Sequence, residues 1–168
     1  MAQKKGDLLK NKKKYIENMS KKEENLTKYF KDVFKDVDIK HTYLKNIEHS
    51  NLFWNELELE TFREDNICKY IINWINYFNN NNPKSFAELL EKELKQWDKK
   101  DIVYFCVSRS IIIETIWEEF LLYWSLFLEF DDDSPFVINL KKEAIFFDSL
   151  GDLSYYSSTP SCAKYSDE

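Results

Sequence analysis

Glycine is nearly absent from this sequence: the chain of 168 residues has two, Gly6 and Gly151. Loops that cradle phosphate groups, and the turns of dinucleotide-binding folds, need several glycines because the backbone must approach the phosphate closely and adopt a positive φ. The composition therefore argues against a P-loop or Rossmann enzyme. Apolar residues make up 43% of the chain and charged residues 32%, which indicates a globular domain rather than a disordered chain.

The chain offers few side chains for metal binding or nucleophilic catalysis. Its three cysteines, Cys68, Cys106 and Cys162, are far apart and form no Cys-x-x-Cys pair, so we expect no zinc site and no disulfide framework. Neither histidine, His41 or His49, has a Cys or Ser at a spacing that completes a catalytic dyad. We expect no metal, no cofactor and no enzymatic activity.

No segment predicts a membrane span or a secretion signal. The longest apolar run, residues 120–130, is too short to cross a bilayer. The first 19 residues lack the apolar core of a signal peptide. We therefore expect a cytoplasmic protein.

Helix-like and strand-like patterns are largely separated along the chain. The N-terminal pattern predicts a helix that begins at Asp7 or nearer Ser20, each a possible N-cap. Residues 53–62 alternate leucine and glutamate and fit an edge strand and an acidic helix equally well. Further helices are predicted at 63–80, 85–97 (with Ser85 as N-cap) and 110–128, and strands at 102–107, 134–140, 144–149 and 153–156.

These elements predict an α+β fold, with a helical N-terminal half packed on a small, mostly antiparallel sheet in the C-terminal half. No internal repeat or linker divides the pattern. We expect one domain over residues 1–156, with a frayed start at 1–6 and a disordered tail at 157–168.

Charge is distributed unevenly along the sequence. Residues 1–40 carry twelve lysines and seven carboxylates, a net charge of +5, whereas residues 41–168 carry a net charge of −11. An acidic body attracts basic partners through long-range electrostatic steering. The lysine-rich leader suggests contact with nucleic acid as an alternative, but it contains no arginine and is interleaved with acids, so a solvated amphipathic helix is favoured.

The stretch "FLEFDDDSPFVINL", residues 127–140, concentrates four carboxylates between two apolar runs. It lacks the glycine and the distal glutamate that a calcium loop requires, and adjacent aspartates do not readily face one cleft as a glycosidase pair must. The favoured interpretation is a solvated helix-to-strand turn, and the second is a contact surface. The candidate partner-binding residues are Glu129, Asp131, Asp132, Asp133, Asp148, Asp152, Glu56, Glu58 and Glu60.

Residues 102–156 resemble small bacterial proteins of immunity-protein type, from toxin–immunity pairs. The features that carry this resemblance are a strand that ends in Ser108-Arg109-Ser110, a helix with Glu114, Thr115 and Trp117, the acidic turn, and a closing hairpin with Phe146, Phe147 and Gly151. The resemblance implies an inhibitor that binds a toxin domain stoichiometrically, without catalysis of its own.

We therefore expect a cytosolic binding protein, an immunity-type inhibitor that neutralises a basic toxin domain through its acidic surface. Its expected partner is a protein, with no nucleic acid and no membrane. One alternative is a small hydrolase that uses Arg109 and clustered carboxylates. The other is a nucleic-acid-binding regulator that uses the lysine-rich leader.

Overall fold

A computed structural model of the chain describes residues 2–59, 67–80, 82–130 and 134–157. The chain forms two compact units, Met1–Val37 and Asp38–Glu168. The single domain expected over residues 1–156 stays a prediction. Within the described residues, no helix is both long enough and apolar enough to cross a membrane.

The first unit consists of one long helix, α1, which spans Ala2–Val33. It begins five residues before Asp7 and continues through Ser20, so neither residue is the N-cap that the sequence favoured. The segment after Gly6 has no proline or glycine to interrupt it and is rich in lysine, glutamate and leucine, which are good helix formers. The expected frayed start at residues 1–6 is helical from Ala2.

The second unit contains seven strands, four α-helices and a short 3₁₀ helix among the described residues. The strands are β1 Tyr43–Leu44, β2 Ile67–Asn73, β3 Ile102–Ser108, β4 Ile111–Ile116, β5 Phe136–Asn139, β6 Glu143–Phe147 and β7 Asp152–Ser157. The helices are α2 Ile47–Glu56, α3 Ile75–Asn79, α4 Pro83–Glu93 and α5 Trp117–Phe127, and the 3₁₀ helix Leu128–Phe130 follows α5.

The seven strands form one sheet in the order β1-β4-β3-β5-β6-β7-β2. Every pairing is antiparallel. The three short strands predicted in the last third of the chain are confirmed as β5, β6 and β7, and the buried strand predicted at 102–107 is β3. The α+β fold, with helices mostly N-terminal and an antiparallel sheet mainly C-terminal, is confirmed.

Helices cover both faces of the sheet, which explains why its central strands are apolar on both sides. On one face, Phe53 of α2 lies 4.3 Å from Tyr104 of β3, ring centre to ring centre. On the other, Phe120 of α5 lies 6.1 Å from Phe105 of β3 and 6.3 Å from Phe147 of β6. Phe105, Phe120 and Phe147 are fully buried, and burial of a phenylalanine side chain stabilises a fold by about 1.5–3 kcal/mol.

Two helix predictions are wrong where β-branched residues dominate. Within residues 63–80, β2 and α3 replace the single predicted helix, because residues 67–73 pair with β7 over the whole strand. Within residues 110–128, Ile111–Ile116 forms β4 before the helix begins, since it makes a hairpin with β3. Isoleucine and threonine favour strands where a partner strand is present.

Helix starts were also predicted imperfectly. α4 begins at Pro83, two residues before the proposed cap Ser85, because proline suits the first turn of a helix, where its missing N–H has no partner to lose. In the ambiguous segment 53–62, residues 53–56 belong to α2, so the helical alternative holds there. Residues 60–62 lie outside the described residues.

Candidate functional site

The candidate site in the second unit is a hydrogen-bond network around Glu119, in the first turn of α5. Its carboxylate is only 10% exposed and accepts hydrogen bonds from three consecutive residues. The Lys40 and His41 N–H groups each donate to Oε1 at 2.9 Å, and Thr42 Oγ1 donates to Oε2 at 2.6 Å. A carboxylate near a helix N-terminus is also favoured by the helix dipole. Glu119 thereby fastens residues 40–42 to the start of α5.

A second buried hydroxyl completes this network. Thr42 Oγ1 lies 2.8 Å from Thr115 Oγ1, and both threonines are buried. Because Thr42 gives its only hydroxyl proton to the carboxylate, Thr115 is the donor between the two hydroxyl groups. Burial alone would raise the pKa of Glu119, but the hydrogen bonds from Thr42, Lys40 and His41 outweigh it and hold the pKa below its usual value.

His41 extends the network to the surface. Its ring Nδ1 lies 3.1 Å from Glu119 Oε1, while its side chain is 54% exposed. An ionised carboxylate can only accept, so Nδ1 carries the proton in this contact, and Nε2 of the neutral ring is left as an acceptor. A carboxylate that fixes the tautomer of a histidine in this way is a recurrent arrangement in general-base catalysis.

The His41–Glu119 pair borders an open cleft of about 610 Å³, which we call the Glu119 cleft. Its rim holds two ion pairs with N–O distances of 2.9 Å, Lys99–Glu91 and Lys100–Glu118. The hydrogen bond and charge of Glu91 raise the pKa of Lys99, and Lys100 lowers the pKa of Glu118. The remaining lining residues are Asp38, Lys40, Ala87, Ile116, Leu121, Leu122 and Tyr123.

None of the described residues that line the cleft is Ser, Thr or Cys. Throughout the described part of the chain, no group of three or more His, Cys, Asp or Glu side chains is placed to hold a metal ion. The chemistry that His41 offers at the border of the cleft is activation of a water molecule as a general base.

The structure brings part of the predicted acidic set to one end of the sheet. Asp148 and Asp152 flank the turn between β6 and β7. The chain segment that follows Glu129 enters β5 beside them, since the Phe147 N–H donates to the Pro135 carbonyl at 2.9 Å. We call the turn, residues 148–152, the tip, and Glu129, Asp148 and Asp152 the acidic end.

A second observation links Glu129 to this end. It lines a hollow of about 280 Å³ together with Phe78. Phe78 packs on Trp74, whose indole N–H donates to the Asp148 carbonyl at 2.9 Å. Glu129 is therefore connected to the tip through Phe78 and Trp74.

The other predicted acidic residues lie elsewhere or are not described. Glu56 is exposed at the end of α2, and Glu58 is exposed just beyond it with a φ of 52°. Helix α2, which ends at Glu56, covers the opposite face of the sheet from α5. Asp131, Asp132 and Asp133 lie outside the described residues, as does Glu60.

The tip holds a large apolar side chain in water. Leu150 is 85% exposed and stands between Asp148 and Asp152 in sequence. The turn beneath it is closed by the Asp148 N–H, which donates to the Asp152 carbonyl at 2.8 Å, and by the Leu150 N–H, which donates to Asp148 Oδ1 at 2.8 Å. The Trp74 N–H donates to the Gly151 carbonyl at 2.9 Å and fixes the tip to β2.

Gly151 is required by this geometry. Its φ of +107° lies in a region that L side chains rarely adopt, and an added Cβ would lie 2.5 Å from Asn73 Nδ2. The sequence indicated a turn here, and the structure shows why glycine closes it.

Arg109 does not take part in the Glu119 cleft. It is exposed in the turn of the β3–β4 hairpin, whereas Ile116, at the other end of β4, lines the cleft. The five residue steps of β4 between Ile111 and Ile116 correspond to about 17 Å.

Sequence reasoning missed Glu119 and Leu150. Glu119 is one of two adjacent glutamates, Glu118 and Glu119, directly before the apolar run, and nothing in the sequence marks which of the two is buried. A carboxylate on the buried side of a helix is tolerated only with hydrogen-bond partners. The partners of Glu119 lie 77–79 positions earlier in the chain, which no local pattern indicates.

A family model described as "Protein of unknown function (DUF2947)" matches residues 11–155. No curated protein and no solved structure matches the chain significantly.

Proposed function

The chain belongs to the DUF2947 family, and from the surface of its second unit we propose that it is a binding protein, an immunity-type inhibitor that occupies a basic surface of a toxin domain. The observation that carries this proposal is the tip, which presents Leu150 to solvent between two carboxylates. An apolar centre surrounded by a polar rim is the usual arrangement of a protein-binding interface.

Hydrogen bonds hold the backbone of the tip in a defined conformation without a partner. Three backbone N–H groups, those of Asp148, Leu150 and Trp74, are satisfied within or directly beneath it. Rigid presentation reduces the entropy that binding would otherwise cost. The exposed side chain of Leu150 does not stabilise the fold. Its transfer from water into an interface would contribute a favourable free energy to binding.

The charge of the acidic end specifies the partner. Asp148 and Asp152 flank the tip, and Glu129 is connected to it through Phe78 and Trp74, in a chain segment (residues 41–168) with a net charge of −11. Carboxylates around an apolar anchor accelerate association with a basic surface and disfavour acidic partners. A toxin that acts on a nucleic acid carries such a basic surface around its active site, and an acidic inhibitor competes there with the substrate.

The test measures binding of the full chain to the product of the neighbouring gene, by surface plasmon resonance at several salt concentrations. Leu150→Ser should weaken the complex about tenfold or more, mainly through faster dissociation. The matched control is Leu140→Ser: Leu140 is 68% exposed in the β5–β6 turn, at the other end of β6. This control should leave the affinity unchanged.

Charge removal at the acidic end gives a separate readout. Asp148→Asn with Asp152→Asn should slow association and flatten its salt dependence, while asparagine keeps an acceptor for the Leu150 N–H. A neighbour that is harmless to the cell, or a complex indifferent to both sets of substitutions, would exclude the proposal.

The Glu119 cleft supports a second candidate function, a hydrolase in which His41 acts as general base. The supporting observation is the 3.1 Å contact between His41 Nδ1 and Glu119 Oε1 at the border of the cleft. Assays against ester, amide and phosphodiester substrates test it. Turnover that survives His41→Gln would not come from this site.

A further inference from the structure

Helix α1 carries a heptad pattern that neither proposed function uses. Residues 16, 23 and 30 share one position of the heptad, and residues 12, 19, 26 and 33 share the position three residues later. The occupants are Ile16, Glu23, Phe30, Lys12, Met19, Leu26 and Val33. In coiled coils these are the a and d positions, which form the contact seam between two helices.

The N-terminal part of this seam is exposed to solvent in the first unit. Every described side chain from residue 10 to residue 18 is exposed, and Ile16 is 57% exposed although it is apolar. From residue 19 onward, the seam residues Met19, Leu26 and Phe30 retain intermediate exposure, while most of the other residues in this part of α1 are exposed. Ile16, Met19, Leu26 and Phe30 thus lie along one face of the helix, which they share with Lys12 and Glu23.

We propose that α1 pairs with α1 of a second copy of this chain as an antiparallel coiled coil, with Lys12 of each copy opposite Glu23 of the other. This register sets each a position against a d position, as antiparallel pairs require. It brings Ile16 against Met19 of the second copy. Lys12 and Glu23 then meet each other, so the layers of Ile16 and Met19 between them stay apolar.

Charge selects the antiparallel direction. A parallel, in-register pair would set Lys12 against Lys12 and Glu23 against Glu23, which places like charges in the seam. In the antiparallel pair each of these contacts becomes an ion pair, and polar seam residues are known to fix register and orientation in coiled coils. Residues 4–22 carry eight lysines and two carboxylates, so the antiparallel pair also avoids laying two strongly basic halves side by side.

The flanking positions are compatible with this register. Tyr15 lies beside Lys22 of the second copy, where an ammonium group can rest on the aromatic ring. Lys13 lies beside Ser20 of the second copy. No lysine faces another lysine across the described part of the seam.

The test is the mass of the full-length protein in solution, measured by sedimentation equilibrium over a range of concentrations. The wild-type chain should dimerise, and Ile16→Ser should raise the dimer dissociation constant at least tenfold. Lys12→Glu alone and Glu23→Lys alone should each raise it by a similar factor, because each creates two like-charge contacts. The double variant K12E/E23K should restore dimerisation, since both ion pairs are remade with reversed polarity.

The matched control is K21E/E24K, which makes the same charge exchange at two exposed positions off the seam and should leave the dissociation constant unchanged. Circular dichroism of each variant checks that α1 remains helical. A monomer at all concentrations, or a double variant no better than the single ones, would overturn the proposal.

Two further arms separate this proposal from its competitors. Vesicles of phosphatidylcholine with phosphatidylglycerol test a lipid surface as the occupant, and a DNA duplex tests nucleic acid. Capture of a monomeric chain by either probe, lost on Ile16→Ser for the vesicles or on lysine removal for the duplex, would replace the second copy with that ligand.

Discussion

Glu119 illustrates how one residue can unite distant parts of the chain. Its carboxylate accepts hydrogen bonds from three successive residues and from the ring of His41. A buried carboxylate is tolerable only when its oxygen atoms are satisfied in this way. The same network that stabilises the fold also orients the histidine at the border of the Glu119 cleft.

We predict that Glu119→Gln destabilises the protein by about 2 kcal/mol near neutral pH, because hydrogen bonds to a charged group are lost or weakened. The folded-state pKa lies below its usual value, about 4.3 in an unfolded chain. The stabilisation is therefore fully present above that value and is lost as the pH falls through the folded pKa. Urea unfolding, followed by tryptophan fluorescence, measures the free energy of unfolding of both proteins. The difference between the wild type and Glu119→Gln should become smaller below about pH 4.

Glu118→Gln is the matched control for this prediction. Glu118 is adjacent in sequence but half exposed, and its ion pair with Lys100 lies at the surface. Its loss should cost clearly less stability than the loss of Glu119, because solvent screens an exposed ion pair. Equal losses of stability in Glu119→Gln and Glu118→Gln would contradict the role assigned to Glu119. So would a stability difference between the wild type and Glu119→Gln that does not change with pH.

At the scale of elements, the β6–β7 turn depends on its glycine. Gly151→Ala should destabilise the protein by about 1–3 kcal/mol, because the new side chain is strained at this φ and meets Asn73. Thermal unfolding checks the magnitude. Ser149→Ala, in the same exposed turn, is the control and should change stability by less than about 0.5 kcal/mol.

A double-mutant cycle separates the two sources of strain. Removing the Asn73 side chain in the Gly151→Ala background should recover the part of the cost that is due to the clash, but not the part due to φ. Full additivity of the two substitutions would show that the clash contributes nothing.

The elements also show what local sequence determines. β5, β6 and β7 were predictable because short β-branched and aromatic runs lie between turn residues. β2 and β4 were not, since each precedes a helix without a break and its apolar spacing fits both structures. For residues 67–73, pairing with β7, some eighty positions later in the chain, decides in favour of a strand over a helix. Tertiary contacts of this kind override local propensity. For the same reason, the sequence indicated the carboxylates of the acidic end but not the Glu119 network.

At the scale of the whole molecule, the strand order makes stability unequal across the sheet. β3, β5 and β6 each have a neighbour on both sides, whereas β1 and β2 form the edges. We predict that native-state hydrogen exchange is slowest in the three central strands and faster in β1 and β2, because edge strands open without global unfolding. Exchange from β2 as slow as that from β5 would refute this ranking.

The construction of the tip has a consequence for how this family diversifies. Its shape depends on backbone hydrogen bonds, Asp148, Trp74 and Gly151, while the side chain of Leu150 projects into solvent. Substitutions at residue 150 should therefore cost the fold little. If the tip binds a partner as we propose, a single substitution at this position can change what is recognised while the scaffold remains constant.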